Sequence, residues 1–183
     1  GKKTKVFAYI GYPEGASASS KAPAIVLMHG GGGHAYAEWV KRWTDRGYVA
    51  IAMDNTGYFP SQAGKGLAGR EADPATYWTF GLAGDFAEEG YVNAPNNSGM
   101  QDAGSRAERQ WMYNAVSQAI LAHNILRADE KVDSSRIGIT GISWGGVITS
   151  LAIGYDTRYA FAIPIYGSGY LEEALSFMGP NFN

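Results

Sequence analysis

Apolar residues in this chain come in short, dense runs broken by glycine-rich and polar stretches. Lys5 to Ile10 carries enough branched and aromatic residues for a strand, and Gly11-Tyr12-Pro13-Glu14-Gly15 stops it. After a small-residue loop, Ala24-Ile25-Val26-Leu27-Met28 is a continuous apolar run of strand length, the pattern of a strand covered on both faces in a parallel sheet. Tyr36, Trp39, Val40 and Trp43 then recur at helical spacing, and Gly47 sits where such a helix would end. Their aromatic rings are read as packing against the sheet. Tyr48 to Met53 is a second short apolar run, closed by Asp54 and the turn-rich Asn55-Thr56-Gly57-Tyr58. Strands alternating with a helix, with glycine and polar residues at the strand ends, predict an α/β domain that places its ligand at those ends.

The stretch 59–104 resists assignment beyond a short helix near Pro74 to Phe80, and its length marks a connection that is functional or poorly ordered. Ser105-Arg106-Ala107-Glu108 has the capping-box pattern, which predicts a helix from there to about Ala128. Met112, Val116, Ala119, Ile120 and His123 form its inward stripe, beside Trp111, Ala115 and Ala122. His123 is expected to be a partly buried structural residue. Asp129 to Ser135 reads as a charged loop, Arg136 to Thr140 as a strand, and Trp144 to Gly154 as a helix. Tyr159 to Ile165 is a further strand, whose Pro164 predicts an exposed edge or a ladder that has stopped. A helix-like Leu171 to Phe177 follows.

Composition narrows the picture only in places. A length of 183 residues suits one domain, and a net charge of -2 offers no basic surface for nucleic acid or an anionic membrane. The chain has no cysteine, which removes disulfides, thiolate metal sites and a cysteine nucleophile while leaving the compartment open. No apolar run is long enough to span a bilayer, and Gly1-Lys2-Lys3 leads directly into a strand-like segment. No metal-ligand pair occurs at helical spacing, so neither a metal nor a cofactor is expected.

The chemistry concentrates in Gly141-Ile142-Ser143-Trp144-Gly145, a G-x-S-x-G pattern between a predicted strand and a predicted helix. A serine on so tight a turn is held in strained geometry, with glycines where a Cβ would collide with neighbouring backbone. Ser143 is thus the candidate nucleophile. It needs a base and N–H donors for the charge that develops on the substrate. The N–H of Trp144 is one candidate donor, and Gly31 or Gly32, in the run His29-Gly30-Gly31-Gly32-Gly33-His34 after the first buried strand, supplies the other. That run lacks the lysine of a Walker loop and the spacing of a dinucleotide fingerprint.

The segments 23–32, 47–54 and 132–146 together resemble α/β-hydrolase-fold serine esterases, in the branch of acetyl xylan esterases, dienelactone hydrolases and prolyl-oligopeptidase-like enzymes. The resemblance covers most of the chain apart from 59–104. It implies a three-layer α/β-hydrolase fold with a mostly parallel sheet in a single domain, 1–183. It also implies a carboxylic ester hydrolase working through an acyl-enzyme on Ser143, typically removing small acyl groups such as acetyl from carbohydrates. His34, Asp54 and Tyr58 are expected to wall the substrate site. The compartment it favours is periplasmic or extracellular. Two rivals stay open: a peptidase of the prolyl-oligopeptidase type, and a non-catalytic binding or assembly domain.

In that fold the triad runs serine, acid, histidine. Here His29, His34 and His123 all precede Ser143, and only Asp156, Glu172 and Glu173 follow it as carboxylates. The expectation is that the last strands of the sheet, with acid and base, are absent, and that a complementing C-terminal segment or a homo-oligomer completes the fold. His34 is the alternative base, against its reading as a helix-start residue facing solvent.

Overall fold

The computed structural model describes residues 6–31, 33–55, 102, 104–167 and 169. Five strands form one sheet in the order β1-β3-β2-β4-β5: β1 (Ala8–Gly11), β2 (Ala22–Met28), β3 (Val49–Met53), β4 (Val132–Ile142) and β5 (Phe161–Ile165). β1 runs antiparallel to β3, and every other pairing is parallel. The helices are α1 (Ala37–Thr44), α2 (Trp111–Ala128) and α3 (Trp144–Tyr155).

β2 shows why its sequence is apolar at every position. Ala24, Val26 and Met28 face a core shared with Trp111, Ala115, Ala119, Ile139 and Ile148, whereas Ile25 and Leu27 face a second core with Val40, Ala50 and Ala52. The first core lies under α2 and α3, and the second under α1. The domain is therefore three layers with a mostly parallel sheet, the α/β-hydrolase arrangement that the sequence implied. At about 25 cal/mol per Å² of apolar surface, central strands buried on both faces are where burial contributes most.

Boundaries moved where longer-range contacts outcompeted local signals. The Ser105 to Glu108 capping box does not cap α2. Ala107–Arg109 forms a short 3-10 turn, Glu108 pairs with Arg106 at 2.6 Å, and α2 begins at Trp111. The first helical N–H, that of Trp111, is taken at 2.5 Å by the carboxylate of Asp102, nine residues upstream. β4 starts at Val132 inside the expected charged loop, because Ala22 pairs with Val132 across a register shift. β5 is the outermost of the described strands beyond β4, and Ile163 and Ile165 are exposed on it, as Pro164 suggested. The helices read near Pro74 to Phe80 and over Leu171 to Phe177 lie outside the described residues, as does 59–104 except Asp102 and Gly104.

His123 is fully buried rather than partly so, because it ties α2 to the far end of α3. Its Nδ1 meets Asp156 Oδ2 at 2.8 Å, and Arg158 reaches the same carboxylate with Nε and Nη2, each at 2.7 Å. The imidazole stacks on Tyr159 at 4.2 Å, and the Tyr159 hydroxyl donates to Ala119 O at 2.9 Å. Burial lowers the His123 pKa despite the opposing pull of Asp156, so the ring is neutral and donates through Nδ1–H. The Arg158 guanidinium, more than the histidine, holds the Asp156 carboxyl well below the usual carboxylate range.

Two outcomes follow. Asp156→Ala strands the His123 donor and is expected to cost about 3 kcal/mol of stability, measured by urea unfolding. For pH, the folded pKa of His123 lies below 6.5, whereas unfolded histidine takes a proton near that value. Stability is then fully present above about pH 6.5 and declines below it by up to about 1.4 kcal/mol per pH unit for each such histidine. The depressed Asp156 adds a further loss only at acid pH, below its unfolded value of 3.8. An unfolding free energy that stays level from pH 7.5 to 5.5 contradicts this assignment.

Candidate active site

β4 ends at Ile142 and α3 begins at Trp144, leaving Ser143 alone on the turn between them. Its backbone sits at φ 57°, ψ -120°, a sparsely populated region for any residue with a Cβ. Three bonds hold it there. Ser143 N–H donates to Ile165 O at 2.7 Å, and Ser143 O accepts from Gly146 N–H at 2.8 Å and Val147 N–H at 3.1 Å. The glycines around it leave no room for a side chain. A Cβ on Gly145 would lie 2.1 Å from Met28 O, one on Gly141 2.2 Å from Gly145 O, and one on Gly146 2.6 Å from Ile165 O. Ser143 itself is exposed.

The glycine loop after β2 lies directly against this turn. A Cβ on Gly30 would come 3.2 Å from Ser143 Cβ and 3.8 Å from its Oγ, and one on Gly31 would meet Trp144 Cδ1 at 2.6 Å. Gly31, Ser143 and Trp144 are thus neighbours. The N–H of Trp144 opens α3, where helix geometry provides no intrahelical acceptor. Gly32 and Tyr58 lie outside the described residues.

Asp54 and His34 lie beside the glycine loop, near His29. Asp54, read as a wall of the substrate site, is buried at 2% exposure, and its Oδ2 accepts Ala35 N–H at 3.3 Å. The carboxylate thus holds the loop from within. His34 is half-buried; its Nδ1 bonds Ala35 O at 2.7 Å and its ring packs on Tyr36 at 4.3 Å.

A buried polar cluster supports the loop from behind. His29 donates from Nδ1 to Gly30 O at 2.7 Å and accepts Asn55 N–H on Nε2 at 3.0 Å, so its tautomer is assigned by its partners. Asn55 Nδ2 donates to His29 O at 3.0 Å, and Trp111 Nε1–H donates to Asn55 O at 2.5 Å. Burial lowers the His29 pKa, which keeps the imidazole neutral. With both nitrogens committed, His29 is no free base, and His123 is buried on α2 with its Nδ1 on Asp156. Sequence reading missed Asn55 and assigned Trp111 to packing alone. The available signal was a polar pair, Asp54-Asn55, closing a wholly apolar strand.

Comparison with known proteins places these features in context. The sequence profile of the prolyl oligopeptidase family matches residues 79–177. The protein of Emericella nidulans named "Probable dipeptidyl-peptidase 5" is 40% identical over 63 residues, which is 31% of this chain and 9% of that protein. Among solved structures, the acetyl xylan esterase from Paenibacillus sp. R4 superposes with a TM-score of 0.62 at 23% identity, over 88% of this chain and 44% of that one. The Pyrococcus horikoshii acylaminoacyl peptidase gives 0.55 at 22% identity, over 96% of this chain and 23% of that one. The likeness to the two solved structures concerns the fold, and the chain spans less than half the length of each of these relatives.

Sterics at the turn give a paired test. Gly145→Ala pushes a Cβ onto backbone and is expected to cost more than about 3 kcal/mol, or to prevent folding. Gly154, also in α3, has nothing within 4 Å of an added Cβ. Gly154→Ala is therefore expected to be neutral or to raise stability by up to about 1 kcal/mol. Thermal melts of the two variants check this.

Proposed function

The chain belongs to the prolyl oligopeptidase family of serine hydrolases, and on that premise we propose that it hydrolyses carboxylic esters through an acyl-enzyme on Ser143. One observation carries the reading. An exposed serine is held at positive φ, with the Gly30-Gly31 loop packed against its side chain and the following tryptophan. A base removes the Ser143 proton as Oγ bonds to the substrate carbonyl carbon. The carbonyl oxygen takes negative charge, met by Gly31 N–H and Trp144 N–H, and Gly32 is the alternative donor in the loop. The C–O bond to the alcohol then breaks, the alcohol leaves with a proton, and water repeats the sequence to free the acid and Ser143.

Esters are the proposed class because the sequence resembles carboxylic ester hydrolases and the fold is shared with the acetyl xylan esterase from Paenibacillus sp. R4. The described residues supply the attacking oxygen and candidate N–H donors, while the base that takes the Ser143 proton and returns it to the leaving group is still required. Small acyl groups on carbohydrates remain the proposed substrates. The proposed general base is a histidine from chain outside these 183 residues, because His29 and His123 are committed to structural bonds; His34, with its Nδ1 on Ala35 O, is the alternative. Its arrival beside β5, by a covalent or a separate segment, is part of the proposal. Dipeptidyl-peptidase activity is the second reading, and the 40% identity to the Emericella nidulans protein favours it.

Fluorophosphonate labelling with mapping of the modified residue is expected to mark Ser143. Ser143→Ala is expected to lower kcat by at least about a thousandfold on p-nitrophenyl acetate. Acetylated xylo-oligosaccharide should be turned over in preference to dipeptidyl p-nitroanilides. Preference for the anilides shifts the reading to peptidase, and binding without Ser143-dependent turnover shifts it to a non-catalytic domain.

A further inference from the structure

We propose that Asn55 and Trp111 are positioning residues for the oxyanion site, setting through His29 the direction in which the Gly31 N–H points. The inference rests on the reading of Ser143 as nucleophile.

Two consecutive peptide planes leave the end of β2, and both are fixed by their carbonyls. His29 C=O accepts from Asn55 Nδ2 at 3.0 Å. Gly30 C=O accepts from His29 Nδ1 at 2.7 Å and from Gly33 N–H at 3.2 Å. In a trans peptide the carbonyl and the next N–H point in opposite directions, so holding Gly30 C=O also aims Gly31 N–H. The imidazole that holds it cannot turn over, because Asn55 N–H occupies Nε2 at 3.0 Å. Asn55 therefore acts twice on the loop, once on the ring and once on the preceding carbonyl. Its own carbonyl is anchored at 2.5 Å by Trp111 Nε1–H from the first turn of α2. His29, Asn55 and Trp111 are each at most 1% exposed, so no solvent competes for these bonds.

The same indole reaches the other proposed donor. Trp111 meets the Trp144 ring edge-on at 5.7 Å and 85°, and Trp144 Cδ1 lies against the Cα of Gly31. One side chain at the head of α2 thus braces both peptides that would face the developing oxyanion. Bonds this far from the substrate matter because a misaimed donor loses part of its effect on the transition state while leaving ground-state binding intact.

The test is kinetic and uses the full-length protein with p-nitrophenyl acetate, with rates expressed per site titrated by fluorophosphonate. Trp111→Phe keeps the ring and removes the donor, and Asn55→Ala removes the amide. Each is expected to lower kcat per titrated site about tenfold with KM within about twofold. In parallel, nitrogen NMR of His29 is expected to report the Nδ1–H tautomer in the wild type and a mixture of tautomers in Asn55→Ala. Variants that melt earlier but keep kcat per titrated site, with the tautomer unchanged, overturn the proposal and leave only a structural tie. Loss of turnover in Ser143→Ala beside unchanged kcat in both positioning variants sinks this inference alone. Absence of any Ser143-dependent turnover in the wild type removes the reading beneath it, and this inference with it.

Discussion

Backbone meets backbone at the end of β4 without room for a single methyl group, and the rest of the domain is arranged around that contact. Gly141 and Gly145 stack against each other and against the last carbonyls of β2, while Gly146 sits on Ile165 at the end of β5. Three adjacent strands and one helix are thereby locked at their ends. The strained φ of Ser143 follows from this packing, since the chain must leave a parallel strand and enter a helix within one residue. The cost, of order 1–3 kcal/mol for such a backbone, is carried by the cores on the two faces of the sheet.

Both buried histidines serve this frame in the same chemical form. His29 and His123 are each neutral, and each puts Nδ1 to a nearby acceptor, a backbone carbonyl in one case and a carboxylate in the other. His29 bridges an acceptor and a donor, Gly30 O and Asn55 N–H, as only a neutral imidazole can. His29 joins the ends of β2 and β3 beside Ser143, and His123 joins α2 to the base of α3. The site is supported from the loop side by one and from the helix side by the other. Their shared dependence on deprotonation couples the integrity of the frame to pH near the unfolded histidine value.

Much of the fold was legible because its signals are local. The unbroken apolar run at 24–28, the helical spacing of Trp39, Val40 and Trp43, and the branched strand before Gly141 each survive into the structure within a few residues. The need for glycine at Gly141 and Gly145 was also readable, because no other residue suits a turn with that spacing. The start of α2 was misplaced, since Asp102 supplies its cap from outside the window in which a capping box is sought. The burial of Asp54 was not legible for a similar reason: a carboxylate at a strand end looks like a ligand group, and its bond to Ala35 N–H comes from 19 residues away.

The order of residues along the chain was sufficient for the kinds of element, their two-sided burial and the single turn on which a serine is presented. Those properties depend on neighbours a few positions apart, which periodicity records. Which groups stand behind the glycine loop depends on residues 26 and 56 positions apart, brought together by parallel strand pairing and by the packing of α2 across the sheet. No local pattern encodes that meeting. Asn55 and Trp111 acquire their place only when β3 lies beside β2 and α2 lies over both, because a hydrogen bond is a relation of distance and angle that the folded chain alone defines.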